Sequence, residues 1–155
     1  MVGDQIGPLR HEVDARWLMA YAASLGDTQD CYFDTRRTEG IVAHPMFAVC
    51  PEWPVIVQGR ELANKWGITA EETRQSVHAT HDLIIHRLAK PGDVLSTHLT
   101  YTGVESKSPG AYTTMKIETV DAAGEPVFTT HQGGMYLGVP TQGEDRPSLN
   151  EPEVP

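Results

Sequence analysis

The sequence predicts an α+β domain in which helices cover one face of an antiparallel sheet. Helical patterns occupy the first half of the chain. Four segments rich in Thr, Val, Ile and Tyr occupy the second half, at residues 74–88, 93–104, 110–121 and 126–138. Grouped helices followed by grouped strands favour this class over alternating α/β units. With 155 residues and 39% hydrophobic content, the chain has the size and apolar content of one folded domain.

A short extended segment and a helix open the chain. Residues 5–13 are predicted to be extended, and Asp14 is predicted to cap a helix that runs to about Leu25. Gly26 follows at the position where helices usually end. The helix presents one apolar stripe, which consists of Trp17, Leu18, Tyr21, Ala22 and Leu25.

A longer helix is predicted to begin near residue 45, after an irregular polar loop at residues 27–40. Pro45 fits the first turn of a helix, where its missing N–H costs nothing. Pro51 and Pro54 are predicted to interrupt or kink this helix, which could resume over residues 55–66.

Short turns separate the four strand segments. The turn signals are P-G-D at residues 91–93, S-P-G at residues 108–110 and A-G-E at residues 123–125. Strands joined in this way predict an antiparallel meander, with the free face or edge of the sheet as a natural dimer surface. The predicted domain spans residues 1–139. Residues 140–155 hold four of the eleven prolines and are expected to form a disordered or loosely docked acidic extension.

Composition excludes several classes of partner. The formal net charge of −9 argues against nucleic-acid or membrane-surface binding, which requires a basic face. No segment resembles a signal peptide or a membrane span. Cys31 and Cys50 are expected to be reduced thiols of a cytoplasmic protein. His78 and His81 are expected to point to opposite faces of a strand, so we predict neither a metal site nor another cofactor.

Three segments resemble the MaoC-like hydratase/dehydratase family. Residues 21–34 (Y-A-A-S-L-G-D-T-Q-D-C-Y-F-D) resemble its motif Y-A-x-x-x-G-D-x-N-P-x-H-x-D. Residues 41–46 (I-V-A-H-P-M) resemble its I-x-H-G-M segment, which opens the central helix. Residues 77–93 resemble the family strand and turn that end in R-P-L-x-x-G-D. The resemblance covers residues 2–139 and implies a single hot-dog domain, in which an antiparallel sheet wraps around a long central helix.

The resemblance also implies a chemistry. MaoC-like enzymes add water reversibly across the double bond of 2-enoyl thioesters, carried by CoA or an acyl carrier protein. They need an acid and a base for water and the α-carbon, and a donor for the thioester oxygen as it gains negative charge. They assemble with a second hot-dog unit, either a copy of the same chain or a different subunit.

The catalytic residues transfer only in part. Asp27 occupies the place of the family Asp, but Tyr32 occupies the place of the His, and a phenol is a poor base at neutral pH. Pro45 replaces the Gly whose N–H serves as the oxyanion donor, which leaves Met46 as the alternative donor. His44 is a candidate substitute acid or base, or a group that caps the helix start.

Arg87 and Lys90 are candidates for binding the phosphates of CoA. Two positive charges that flank a turn can also be solvated charges without a ligand, and the sequence leaves both alternatives open.

These departures favour one functional hypothesis over two others. The first is a non-catalytic or weakly catalytic subunit that shapes the acyl-CoA channel of a heteromeric 2-enoyl-CoA hydratase. The second is a self-sufficient homodimeric (R)-specific enoyl-CoA hydratase that uses Asp27. The third is a module that binds acyl thioesters without turnover. A thioesterase is disfavoured because the sequence shows no evident nucleophile or general-base arrangement.

Overall fold

A computed structural model describes residues 1–149, apart from the side chain of Asn64. The strands are β1 (Gln5–Glu12), β2 (Ser76–Ile85), β3 (Val94–Lys107), β4 (Gly110–Val120) and β5 (Pro126–Leu137). The α-helices are α1 (Ala15–Ser24), α2 (Asp30–Phe33), α3 (Val49–Glu61) and α4 (Ala70–Arg74), and 3-10 helices span Pro45–Ala48 and Leu62–Trp66. None of the helices in this described range is long and apolar enough to cross a membrane. The order of elements confirms the predicted α+β class.

The five strands form one antiparallel sheet in the order β1-β3-β4-β5-β2. Only β3, β4 and β5 form a meander. The prediction that β2 belongs to the same meander is wrong, because β2 pairs with β5 at the opposite edge from β1. The turn signal at residues 91–93 belongs to a crossover: Ala43 N–H donates to Ala89 C=O (2.8 Å), and Gly92 N–H donates to Val13 C=O (2.8 Å). These two hydrogen bonds fix the segment that connects β2, at one edge of the sheet, to β3, next to β1 at the other edge.

The first helix follows the sequence prediction closely. Asp14 Oδ1 accepts the N–H of Trp17 at 2.7 Å and so caps α1, and Gly26 ends it with a φ of +71°. A positive φ favours glycine, which has no Cβ to clash with the backbone. Leu18 and Ala22 are fully buried, so this part of the predicted apolar stripe packs on the core, whereas Leu25 is 51% exposed and does not.

The central helix runs through both prolines that were predicted to interrupt it. Pro51 lies in the first turn of α3, where no N–H is needed, and Pro54 lies inside the helix. An interior proline costs about 3 kcal/mol, so tertiary packing must offset it. Val55 is fully buried, and a Cβ on Gly59 would lie 2.8 Å from the Tyr101 hydroxyl. This close contact between α3 and the sheet keeps the helix continuous to Glu61.

Two short helices escaped the prediction. Helix α2 lies in the stretch expected to be irregular, and α4 precedes β2. A capping box marks the start of α4: Thr69 Oγ1 accepts the Glu72 N–H, and the Glu72 carboxylate accepts the Thr69 N–H. The sequence signal T-x-x-E was therefore present at residues 69–72.

The extension after residue 139 docks on the sheet where it is described. Arg146 exchanges two backbone hydrogen bonds with Val104, at 2.7 and 2.8 Å, and Asp145 Oδ1 accepts the N–H of Ser106 at 2.8 Å. Docking was one of the two alternatives that the sequence left open. Residues 150–155 lie outside the described residues, so for them the prediction of disorder stays a prediction.

A carboxyl group lies inside the contact between α3 and the sheet. Glu52 is 1% exposed, and the hydroxyl of Thr130 on β5 donates to its Oε1 at 2.6 Å. Burial raises the pKa of Glu52 from an ordinary 4.5 to about 7. The folded state therefore retains a proton that the unfolded chain loses, and the stabilisation from this proton is complete below about pH 4.5 and is lost as the pH rises through about 7.

We therefore expect the free energy of unfolding of the wild type to fall by roughly 2–3 kcal/mol more than that of Glu52→Gln between acid and neutral pH. Chemical denaturation from pH 4 to pH 8 measures both curves. Burial lowers the pKa of His11 and of His81, and this makes the free energy of unfolding rise with pH, opposite to the effect of Glu52. Both proteins contain these histidines, so the difference between their two curves isolates the contribution of Glu52. Glu61→Gln, at the exposed end of α3, is the matched control. Parallel curves for the wild type and Glu52→Gln would contradict the prediction.

Candidate functional site

The fold brings Asp27 and His44 together. Asp27 lies on the loop after α1, and His44 caps the 3-10 helix Pro45–Ala48, which leads into α3. His44 Nε2 lies 3.6 Å from Asp27 Oδ2, and the two side chains are 17% and 24% exposed. Two of the three predicted catalytic side chains therefore form a carboxylate–imidazole pair at the start of the central helix.

Hydrogen bonds orient both members of this pair. The N–H of Met46 donates to His44 Nδ1 at 3.1 Å. Because Nδ1 accepts, the neutral ring carries its proton on Nε2, the nitrogen that faces Asp27. On the other side, Gln29 donates to Asp27 from its backbone and from its side-chain amide, with all distances at 3.2 Å. Gln29, which replaces the family Asn, thus holds the carboxylate in place.

Aromatic rings enclose His44. The ring of Tyr32 lies 5.4 Å from the imidazole, and that of Tyr21 lies 6.2 Å from it. Tyr32 is buried, and this burial raises the pKa of its phenol above the ordinary value. Tyr32 is therefore a neutral packing and donor group at physiological pH. Tyr21 donates its hydroxyl to the carbonyl of Met46 at 2.9 Å, which adds a second restraint on the helix start.

The backbone N–H groups at this helix start are already engaged. Pro45 has no N–H, Met46 donates to the His44 ring, and Phe47 donates to the His44 carbonyl at 2.8 Å. The first N–H groups of a helix normally point outward and favour negative charge. Of the N–H groups of residues 45–47, this arrangement leaves none available to a thioester oxygen.

Arg87 and Lys90 lie on the crossover between β2 and β3. The Arg87 guanidinium donates to Asp93 at 2.7 and 3.3 Å and to Asp121 at 3.1 Å. The hydrogen bond to Asp93 is the main cause that raises the pKa of this guanidinium. Two carboxylates thus balance the charge of Arg87. Lys90, in contrast, is exposed. The residue before it, Ala89, accepts the N–H of Ala43 with its carbonyl, which places Lys90 near the segment that contains His44. Phosphate binding by either residue stays a prediction.

His78 and His81 lie on the same side of β2, contrary to the expectation of opposite faces. A shift in register between His78 and Thr80 breaks the alternation of the strand, and the two rings lie 5.2 Å apart. Among the residues that the structure describes, however, no group of three or more His, Cys, Asp or Glu side chains could hold a metal ion.

Two cavities lie away from the Asp27–His44 pair. The larger, about 430 Å³, lies between the Leu62–Trp66 segment and the docked extension and is lined by none of the predicted site residues. The smaller, about 150 Å³, lies along α3 between Glu52, the edge strand β2 and the inner face of the sheet. Sequence reasoning missed Glu52. Its only signal was a lone acidic residue in a largely apolar stretch of helix.

Comparisons with known proteins agree with this architecture. The family model of the FAS1-like dehydratase domain region matches residues 1–130. A search of curated proteins finds no match to this chain. Among solved structures, a MaoC-like dehydratase from Rhodospirillum rubrum has 20% identity and a TM-score of 0.62, with 88% of this chain and 93% of that chain covered.

Two further structures share this fold. A MaoC-like dehydratase from Phytophthora capsici has 18% identity and a TM-score of 0.72, with 99% of this chain covered but only 53% of that chain. The HadBC (3R-hydroxyacyl-ACP dehydratase) complex from Mycobacterium tuberculosis has 15% identity and a TM-score of 0.64, with 86% and 96% covered. At these identities the likeness shows a common fold. Because the family model matches most of the chain, the protein belongs to the FAS1-like dehydratase-region family and has the MaoC-like hot-dog fold.

Proposed function

We propose that this chain is the non-catalytic or weakly catalytic unit of a paired MaoC-like hydratase/dehydratase that acts on 2-enoyl thioesters of CoA or of an acyl carrier protein. One observation carries the proposal: Pro45 has no N–H, and the N–H groups of Met46 and Phe47 are bonded to His44. The negative charge that develops on a thioester oxygen would meet no free donor here. Loss of one such donor typically lowers kcat by about 10²- to 10³-fold.

In this proposal the Asp27–His44 pair has a structural role. His44 caps the central helix through Nδ1, and Asp27 faces the Nε2 proton and holds the ring in that orientation. The acid, the base and the oxyanion donor then come from the partner unit. This chain contributes the wall of the acyl channel and half of the shared sheet. The free thiols of Cys31 and Cys50 fit a reducing cytoplasm.

The surface that receives the partner combines a sheet edge with a helix face. In the described range no strand pairs with the outer edge of β2, where Val77 and Ile84 are exposed. Val49, Trp53 and Val57 follow α3 at intervals of four residues and are also exposed. An unpaired edge beside an apolar helix face fits a second hot-dog unit. Such a unit would extend the sheet at β2 and cover the apolar stripe of α3, which consists of Val49, Trp53 and Val57. The hot-dog complex and the double-length chain among the similar structures support this arrangement.

A second candidate is a self-sufficient hydratase, and the 3.6 Å approach of His44 to Asp27 favours it. Asp27 would take a proton from the attacking water, while a doubly protonated His44 would give one to the α-carbon. Protonation of Nδ1 would also break its bond to Met46 and release that N–H toward the thioester oxygen.

The purified chain should hydrate short and medium 2-enoyl-CoA at no more than about 1% of the rate of an active family enzyme, because the oxyanion donor is missing. Spectrophotometric loss of the enoyl double bond measures this rate. Asp27→Asn should leave the residual rate unchanged, as should the neighbouring control Asp30→Asn. Robust turnover that disappears in Asp27→Asn but not in Asp30→Asn would instead establish the self-sufficient hydratase.

Pro45→Gly restores an N–H at the start of the central helix, so we expect it to raise the residual hydration rate about 10- to 100-fold. Pro51→Ala restores an N–H one turn further along, away from Asp27, and serves as the matched control. An equal response of the two variants would show that the missing donor at residue 45 does not limit the rate.

Trp53→Asp should weaken association with a second hot-dog unit at least tenfold, since it places a charge in the apolar stripe of α3. The purified wild-type chain can pair only with a second copy of itself, so it should sediment as a dimer. Trp53→Asp should sediment as a monomer. Leu149→Asp makes the same kind of change at an exposed residue outside the stripe. The surface is assigned wrongly if both variants sediment like the wild type while circular dichroism shows that they are folded.

A further inference from the structure

The cavity along α3 has the composition of a binding site. On its helix wall, Val49, Trp53 and Ile56 are apolar, and Glu52 and Arg60 add charged groups. The sheet side adds polar groups from Thr113, Gln132 and Tyr101. Ligand sites in proteins are mostly apolar with a few polar groups that orient the ligand. A cavity of about 150 Å³ accommodates a group of about the size of a benzene ring.

The sheet side of this cavity owes its space to the absence of a side chain. Thr130, Gln132 and Gly134 alternate along β5 and so share the face that packs on α3. A Cβ on Gly134 would meet Thr113 Oγ1 at 3.5 Å, which is ordinary contact. A larger residue is therefore sterically admissible at this position but would occupy the cavity.

Glu52 gives the cavity its chemical character. Glu52 lines the cavity and is 1% exposed, with Thr130 donating to Oε1 at 2.6 Å. A purely alkyl ligand would offer this carboxyl group no further hydrogen bond. An unsatisfied polar group of this kind weakens binding by roughly 10- to 100-fold. The occupant therefore needs a polar end.

A hydroxyl group fits Glu52 better than a charged group does. Because burial raises the pKa of Glu52 to about 7, both the carboxylic acid and the carboxylate are populated near neutral pH. A hydroxyl can accept from the acid and donate to the carboxylate, whereas a carboxylate ligand would be repelled by the ionised form. An ammonium group would lose its hydration on entering a largely apolar cavity.

The cavity opens on the face that the partner unit is proposed to cover, since Trp53 and Val77 line the cavity and also lie on that face. We propose that this cavity binds the far end of the substrate acyl group and that this end carries a hydroxyl. The inference rests on the proposed function, because it places an acyl thioester at the paired interface.

Binding of two saturated thioesters of equal length tests the inference without any hydration chemistry. Isothermal titration calorimetry of the full chain with octanoyl-CoA and with 8-hydroxyoctanoyl-CoA gives the two Kd values. We expect the hydroxylated probe to bind at least tenfold more tightly. Glu52→Leu should abolish this preference, and Glu52→Gln, which keeps a donor and an acceptor, should retain part of it. Glu61→Leu, at the exposed end of α3, should bind both probes as the wild type does.

Gly134→Val keeps Glu52 and fills the cavity, so it should weaken binding of the hydroxylated probe and remove the preference. This variant decides the question if Glu52→Leu does not fold. Equal affinities for the two probes in the wild type, no binding of either probe, or a preference that survives Gly134→Val would each overturn the inference. None of these results bears on the hydration assays, so failure here and failure of the proposed function remain distinguishable.

Discussion

The close contact of α3 with the inner face of the sheet is the constraint on which the other features depend. Gly59 lets the helix approach the hydroxyl of Tyr101, and Val55 is fully buried in the same core cluster as Tyr101. With the helix fixed there, its preceding turn must lie against the loop that follows α1. The geometry at Asp27 is thus a consequence of packing that begins more than one helical turn away. In the proposed assembly, the exposed residues Val49, Trp53 and Val57 of α3 remain available to a partner.

The start of the central helix shows a conflict between stability and catalysis. Proline at the first turn and a side chain that accepts a backbone N–H both stabilise a helix terminus. An oxyanion site needs the reverse, namely N–H groups that no internal acceptor satisfies. Pro45 and His44 resolve the conflict in favour of stability. On the proposed function, the chain keeps the family fold and the family Asp while the oxyanion donor comes from the partner unit.

Local patterns account for the parts of the fold that sequence predicted well. The N-cap Asp14, the glycine at residue 26 and the apolar stripe between them specify α1 through contacts within a few residues. The position of β2 depends instead on bonds between the crossover and distant backbone, which a turn signal at residues 91–93 does not encode. The prediction that Pro51 and Pro54 interrupt the helix also failed because it used local propensity alone. Propensity favours a break at Pro54, but the burial of α3 against the sheet outweighs it.

The candidate site likewise combines features that follow from the sequence with features that depend on tertiary contacts. The resemblance placed Asp27 and His44 in the right segments, but their approach across seventeen positions of chain depends on tertiary structure, as does the bond between His44 and Met46. Glu52 shows more clearly what the sequence does not reveal. From the sequence, a carboxylate in an apolar helix could face solvent, accept a buried hydrogen bond or bind a ligand. Only the tertiary structure, which places Thr130 across the interface, excludes the solvent-facing alternative. A buried carboxyl group is costly unless it is neutral or hydrogen-bonded. Here Glu52 combines a buried hydrogen bond to Thr130 with a place in the lining of a cavity, and the proposed binding role rests on that combination.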